Sequence, residues 1–275
     1  MPQRGEKSPF TRKLILAPAR ALYALYAGAV FLLLGLCALL SALVLPGVRR
    51  RRAAARAFSR LFLGLAGMPL AVRGLERLPK GQCVVVANHA SYLDGLVFSA
   101  ALPARFGFVI KREMAGVPLA GLFLRRIGSE FVERFDRRRG ASDARRVLRN
   151  AGNGHSLVFF PEGTFTRTPG LLKFHTGAFV TAARAGCPVV PAVVRGTRSA
   201  LSPRGELPRP GRIEVRILEP IESGSAAQED SALALRDRAR QAILHALAEP
   251  DLTCSADSAH PPRTERAKSA RASRS

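Results

Sequence analysis

The hydrophobic pattern divides the chain into an apolar amino-terminal stretch and a longer alternating part. Ala21 to Leu45 contains no charged residue, and Pro46 and Gly47 end the run. As a helix this stretch would be roughly 37 Å long, against a hydrocarbon core of about 30 Å. The apolar region of a cleaved signal peptide is shorter, about 7–15 residues, and a small-residue cleavage site follows it. Here arginines follow directly, so the pattern predicts a retained membrane helix. In the next stretch, GVRRRRAAARAFSRLFLGLAGM, Arg49, Arg52, Arg56 and Arg60 form one stripe at helical spacing. Phe58, Leu61, Phe62 and Leu65 fall opposite. That arrangement predicts an amphipathic helix in a bilayer interface, arginines toward lipid phosphates. An ordinary surface helix packed on a core has the same pattern. Basic residues flank the span on both sides: Arg4, Lys7, Arg12, Lys13 and Arg20 before, Arg49 to Arg52, Arg56 and Arg60 after. The positive-inside rule therefore gives nearly a tie. A helical hairpin that enters and leaves one leaflet produces such a tie, and a single crossing with a short outside tail also fits.

From about Leu70 to Ala248 short β-rich runs alternate with helical stretches. Strands are predicted at Cys83–Ala87, Phe106–Ile110, Glu130–Val132, Leu157–Phe160, Val189–Val194 and Ile213–Leu218. Helices are predicted at Leu93–Ala101, Leu119–Ile127, Ala141–Ala151, Ala178–Ala185 and Ala232–Ala248. The alternation predicts an α/β fold, a mixed and largely buried sheet flanked by helices, with the amino-terminal helical pair associated with a membrane. The expected organisation is membrane-anchoring helices over 1–66, a globular domain over 67–250 and a basic tail over 251–275, rich in Ser, Ala, Pro and Arg and predicted to be disordered.

Composition narrows the partners. The 275 residues carry 43 Lys and Arg against 20 Asp and Glu, a formal charge of +23. Such a chain seeks polyanions: anionic lipid surfaces, phosphorylated substrates or nucleic acid. Only six of the basic residues are Lys, so part of the excess is an Arg preference. No nucleic-acid recognition motif is present and few aromatics interleave the arginines, which argues against nucleic acid. The four Cys lie far apart without a CxxC, which fits a reducing compartment and no structural metal.

Two runs carry candidate chemistry. Asn88-His89-Ala90-Ser91-Tyr92-Leu93-Asp94 follows the CVVVA strand, where α/β folds place ligands. A histidine there suits a general base, and a carboxylate five residues on can fix its tautomer and stabilise the imidazolium. Ser91 and Asp94 also match a helix capping box, and a cap at that turn brings the Asp side chain back toward His89. Phe160-Pro161-Glu162-Gly163-Thr164-Phe165-Thr166-Arg167 follows LVFF, with Lys173 shortly after. A carboxylate, a glycine, two hydroxyls and cations suit a polar acceptor bearing phosphate; a strand-to-helix turn is the structural reading. Lys111 and Arg134 sit at or just after predicted strand ends, so four sites can share one rim. There is no G-x-S-x-G, Walker loop, H-E-x-x-H or G-x-G-x-x-G.

NHASYLD resembles the N-H-x-x-x-x-D block of the glycerolipid acyltransferases, bacterial 1-acylglycerol-3-phosphate O-acyltransferases in particular. KREMAGVPLAGLFLRRIGSEFVER, ending in Arg134, resembles the second block, FPEGTFTR the third, and VVPAVV with Pro191 the fourth. The match runs from about Gly81 to Arg198 in the family's order. The resemblance implies acyl transfer from acyl-CoA or acyl carrier protein, as co-substrate and without further cofactor or metal, to a hydroxyl of 1-acylglycerol-3-phosphate, in phospholipid biosynthesis. It implies His89 as base and Asp94 as its orienter, with no acyl-enzyme. Arg134, Glu162, Gly163 and Thr164 would hold the acceptor, and Lys111, Arg167 and Lys173 its phosphate. The implied setting is the inner (cytoplasmic) membrane, catalytic domain on the cytoplasmic side. The family's third block commonly runs E-G-T-R-S, and here Phe165 stands in place of the arginine. Another lyso-lipid acceptor is therefore the near alternative, and a non-catalytic module binding anionic lipid is the rival from a different class.

Overall fold

Val84, Val85, Val86 and Ala87 are buried on both sides, as β-branched residues in the middle of a two-sided sheet should be. The computed structural model describes residues 9–133, 147, 149, 151, 154–203, 205–223 and 229–253. Within them lie helices α1 (Pro9–Val44), α2 (Val48–Leu65), α3 (Asp94–Ala101), α4 (Ala120–Arg126), α5 (Gly177–Ala185), α6 (Thr197–Ala200) and α7 (Glu229–Leu247). Strands are β1 (Leu70–Arg73), β2 (Val84–Ala87), β3 (Phe106–Lys111), β4 (Glu130–Val132), β5 (Ser156–Phe159), β6 (Val189–Arg195) and β7 (Ile213–Ile217). They form one seven-stranded sheet in the order β1-β7-β6-β2-β5-β3-β4. Pairing is parallel except between β6 and β7, so the sheet is mixed. Every strand predicted from the pattern is present within a residue or so of its ends. Leu70–Arg73 is additional; its four residues end on an exposed arginine and carry too little pattern to read. The predicted helix over Ala141–Ala151 lies mostly outside the described residues.

The two-residue period of the strands splits the core into two layers. Val85, Ala87 and Val158 face Phe62, Leu63 and Met68 at the end of α2 and Val97 and Phe98 of α3. Val84, Val86, Val189 and Val193 face Phe179 and Ala182 of α5 and Leu235, Ala239 and Ile243 of α7. Side chains alternate across the sheet, so successive valines of one strand serve opposite layers. Residues 251–253, assigned above to the tail, belong to the fold. Asp251 pairs with Leu171 in an isolated bridge, and its carboxylate accepts from Arg240 Nη1 at 2.9 Å. The rest of the tail lies outside the described residues.

Pro18–Val44 is long and apolar enough to cross a membrane. It folds back on α2 through Pro46-Gly47, where Gly47 takes φ 75°, a conformation side chains with a Cβ rarely adopt. The Tyr23 hydroxyl donates to Ala66 O at 2.8 Å and that of Tyr26 to Leu65 O at 3.1 Å, so the start of the apolar span lies at the end of α2. Phe31 meets Phe62 edge-on at 5.5 Å. The outer side is apolar: Leu22, Leu25, Leu32, Leu33 and Leu36 are exposed on α1 and Leu61 and Leu65 on α2.

Part of the arginine stripe of α2, predicted to face lipid phosphates, is turned to protein carbonyls instead. Arg52 donates from Nε to Ile127 O (2.7 Å), from Nη2 to Gly128 O (2.9 Å) and from Nη1 to Arg105 O (3.1 Å). Arg60 Nε donates to Ala100 O at 2.8 Å, and Arg51 Nε to Leu45 O at 2.8 Å. Apart from Arg105 O, which precedes β3, these acceptors lie at the carboxyl ends of α4, α3 and α1, where carbonyls lack helical partners and the dipole favours cations. Arg56 is half-buried, and its Nε has no partner among the described residues. Arg49 and Arg60 of the stripe are exposed, Arg60 while still donating to Ala100 O. On the opposite side Phe62 is buried in the core, while Leu61 and Leu65 are exposed. The helix is wedged between α1 and the globular part, so Arg51, Arg52 and Arg60 serve protein carbonyls.

Candidate active site

The parallel pairing of β2 and β5, with Val86 opposite Phe159, brings their carboxyl ends side by side. The chain leaving β2 carries His89 and the chain leaving β5 carries Glu162, so the two candidate runs meet at one rim. Asn88 holds the first loop in place. Its buried amide donates from Nδ2 to Val194 O (3.1 Å) and accepts from Val194 N (2.8 Å), extending the pairing with β6 by one side chain. Ser91 Oγ donates to Leu201 O at 2.8 Å. Between these ties the chain turns into α3.

Asp94 is the first residue of α3 and is completely buried. Its Oδ2 accepts from Ala90 N at 2.6 Å, from Ser91 N at 2.9 Å and from His89 Nδ1 at 2.8 Å. The reach back to Ser91 N–H, three residues earlier, closes the turn that leads into α3, whose N-cap position is Leu93. That turn and the histidine contact are one structure: the turn that starts the helix delivers the carboxylate to the imidazole. A carboxylate only accepts, so Nδ1 carries the hydrogen and Nε2 is left to take a proton. The His89 side chain keeps 20% of its surface accessible. Asp94 Oδ1 is buried without a partner among the described residues.

Glu162 serves this loop from below. Its Oε1 accepts from His89 N at 2.6 Å and its Oε2 from Leu172 N at 2.9 Å. Burial pushes its carboxyl up to about 7, against the pull of the two backbone N–H groups and of His89 and Arg198. A raised acid favours its neutral form, so the stability linked to it is present below about pH 4.5 and is lost as pH rises through about 7. Thermal unfolding of wild type should therefore weaken relative to Glu162→Gln across that window. Parallel stability curves for the two proteins would contradict this.

The other candidates spread along the rim. Gly163 closes a turn by donating its N–H to Phe160 O at 3.0 Å, with φ 75° that requires glycine. Thr164, Arg167 and Lys173 are exposed on the same loop. Lys111, at the end of β3, is half-exposed and pairs with Glu113 at 3.1 Å. Arg134 lies outside the described residues.

Phe160, Phe165, Arg198 and Asn88 also contribute to the site, the first three with no short-range signal in the sequence. The His89 ring stacks on Phe160 with centroids 4.6 Å apart and meets Phe165 edge-on, also at 4.6 Å. Arg198 donates from Nη1 to Thr166 O (2.6 Å) and Thr168 O (3.1 Å), bracing the loop that carries Phe165. Asn88 is the only one with a local cue, its place directly after a buried strand.

Comparisons with known proteins identify the family. Residues 69–195 match the family model described as Acyltransferase. A putative 1-acyl-sn-glycerol-3-phosphate acyltransferase of Caenorhabditis elegans is 31% identical over 189 residues, 68% of this chain and 67% of that protein. The chain belongs to the glycerolipid acyltransferase family. The 1-acyl-sn-glycerol-3-phosphate acyltransferase of Saccharomyces cerevisiae is 32% identical over 178 residues, 64% of this chain. The chain spans 59% of that yeast relative's length and 63% of the bovine alpha form's. Among solved structures, the 1-acyl-sn-glycerophosphate acyltransferase from Thermotoga maritima shares this acyltransferase fold with a TM-score of 0.67 at 22% identity, covering 86% of this chain and 98% of its own.

Proposed function

We propose that this chain moves a fatty acyl group from an acyl thioester, acyl-CoA or acyl carrier protein, to the free hydroxyl of 1-acylglycerol-3-phosphate, making phosphatidic acid for phospholipid synthesis. The observation that carries the reading is the 2.8 Å contact between His89 Nδ1 and the buried carboxylate of Asp94. Nε2 takes the proton of the acceptor hydroxyl as its oxygen attacks the thioester carbonyl. Asp94 stabilises the imidazolium that forms. Collapse of the tetrahedral intermediate breaks the C–S bond, and the departing sulfur takes the proton back. No acyl-enzyme is needed. Names of the relatives support the acceptor, and the acyl donor is inferred from the same chemistry.

Arg134, Glu162, Gly163 and Thr164 border the acceptor in this reading, with Lys111, Arg167 and Lys173 near its phosphate. Glu162 spends both oxygens on backbone N–H groups, which supports a positioning role. The exposed apolar side of α1 and α2 supports a membrane surface as partner, because neighbouring exposed apolar side chains mark an interaction site. The hairpin favours an arrangement in which residues 1–66 anchor the domain at one face of the inner membrane, with catalysis on the cytoplasmic side.

Phe165 favours a second reading, in which another lyso-lipid is the acceptor, since an aromatic ring offers a phosphate no charge. A panel of lyso-lipids assayed in vesicles with both thioester donors separates the two. Fastest turnover with 1-acylglycerol-3-phosphate supports the first; another acceptor preferred over it supports the second. A module that only binds anionic lipid would bind the vesicles and turn over none of the panel.

A further inference from the structure

We infer that Phe165 shields the imidazole of His89 from water and so sets how acyl groups divide between alcohol and water. The inference rests on the acyl-transfer reading above. His89 sits between two rings, Phe160 stacked at 24° and Phe165 edge-on at 76°. Phe160 is itself backed by Phe98 at 5.5 Å, so that side of the imidazole is closed by the core. Phe165, edge-on to the same imidazole, has the less buried support of the two rings: it meets Tyr92, 78% exposed, at 4.8 Å. The shield is therefore an aromatic pair at the mouth of the site.

Its loop is strapped in place. Arg198 holds the carbonyls of Thr166 and Thr168, and Glu249 Oε2 accepts from Gly170 N at 2.7 Å. Arg198 Nη2 also pairs with that Glu249 oxygen at 3.5 Å. Glu162 grips Leu172 N–H with one oxygen and His89 N–H with the other. One buried carboxyl thus keys the loop of the shield to the loop of the base.

The chemistry gives such a shield a purpose. A base able to activate an alcohol activates water equally well. Water attack would break the same C–S bond, form a C–O bond to the water oxygen, release free fatty acid and return the proton to sulfur. An apolar ring at the imidazole edge removes the room for that water while an acceptor alcohol must approach from the open side.

Free fatty acid and diacyl product measured in one reaction test this, with wild type, Phe165→Ala and Phe165→Leu in lipid vesicles. Phe165→Ala should raise the ratio of hydrolysis to transfer about tenfold, the rate equivalent of an edge-on aromatic contact. Phe165→Leu keeps apolar bulk and should stay near wild type. An unchanged ratio in Phe165→Ala would overturn the inference. A second readout needs no substrate: carbethoxylation of His89 by diethyl pyrocarbonate, followed by peptide mass spectrometry. Its rate should rise in Phe165→Ala relative to the protein's other histidines, and an equal rate would also overturn the shield. Wild type that transfers nothing would instead defeat the acyl-transfer reading, leaving the carbethoxylation rates to decide the shield.

Discussion

His89→Ala should lower the rate of acyl transfer by about 10²–10⁴-fold, the usual contribution of a positioned general base. The loss should fall on kcat and kcat/KM alike, because the proton moves only in the transition state. Folding should survive. The side chain is partly exposed, and the backbone N–H of residue 89 still donates to Glu162. Vesicle binding should be unchanged, since the apolar side of α1 and α2 is not altered. Full activity in the mutant would remove His89 from the mechanism. A mutant unable to fold would show a structural histidine instead.

Asp94 should divide two effects that His89 keeps together. Asp94→Ala leaves Ala90 N–H, Ser91 N–H and His89 Nδ1 without their common acceptor in a buried place. Stranding buried donors costs about 1–3 kcal/mol each, so a loss on the order of 3 kcal/mol or more is expected, together with activity. Asp94→Asn keeps an oxygen for those donors but places an amide where Oδ1 now has no partner among the described residues, and removes the negative charge. It should retain most of the stability and lose activity by up to about 10⁴-fold, as when Asn replaces an orienting aspartate elsewhere and no longer fixes the histidine tautomer. Denaturant midpoints and kinetics on the two variants check this. Equal activity in Asp94→Asn and wild type would reduce Asp94 to a residue that closes the turn into α3.

How much of this is legible in the sequence follows from the range of each interaction. The His89–Asp94 pair spans five residues and is made by a local turn, so spacing offers it and the family resemblance singles it out. The buried strands announce themselves through runs such as Cys83–Ala87 and Val189–Val194, because parallel strands covered on both faces need apolar side chains throughout. The resemblance of four ordered blocks carried the family. The arginine stripe of α2 misled because a cation row suits lipid phosphates and helix carbonyls equally. Only the packing of α2 against the ends of α3 and α4 decides between them. The sequence offers Glu162 as an acceptor contact, and its positioning role is visible only in the structure, where both its oxygens meet backbone N–H groups. Its partners, His89 and Leu172, come from different loops, and no spacing rule reveals them. The same holds for Phe165 on His89 and Arg198 on Thr166, contacts set by strand order rather than by neighbours in the chain.

The most direct measurement pairs two products of one reaction. Purified protein in vesicles is given an acyl thioester and 1-acylglycerol-3-phosphate, and released thiol and diacyl product are counted together. The account predicts one thiol for each phosphatidic acid formed. Protein that binds the vesicles yet releases neither would contradict it.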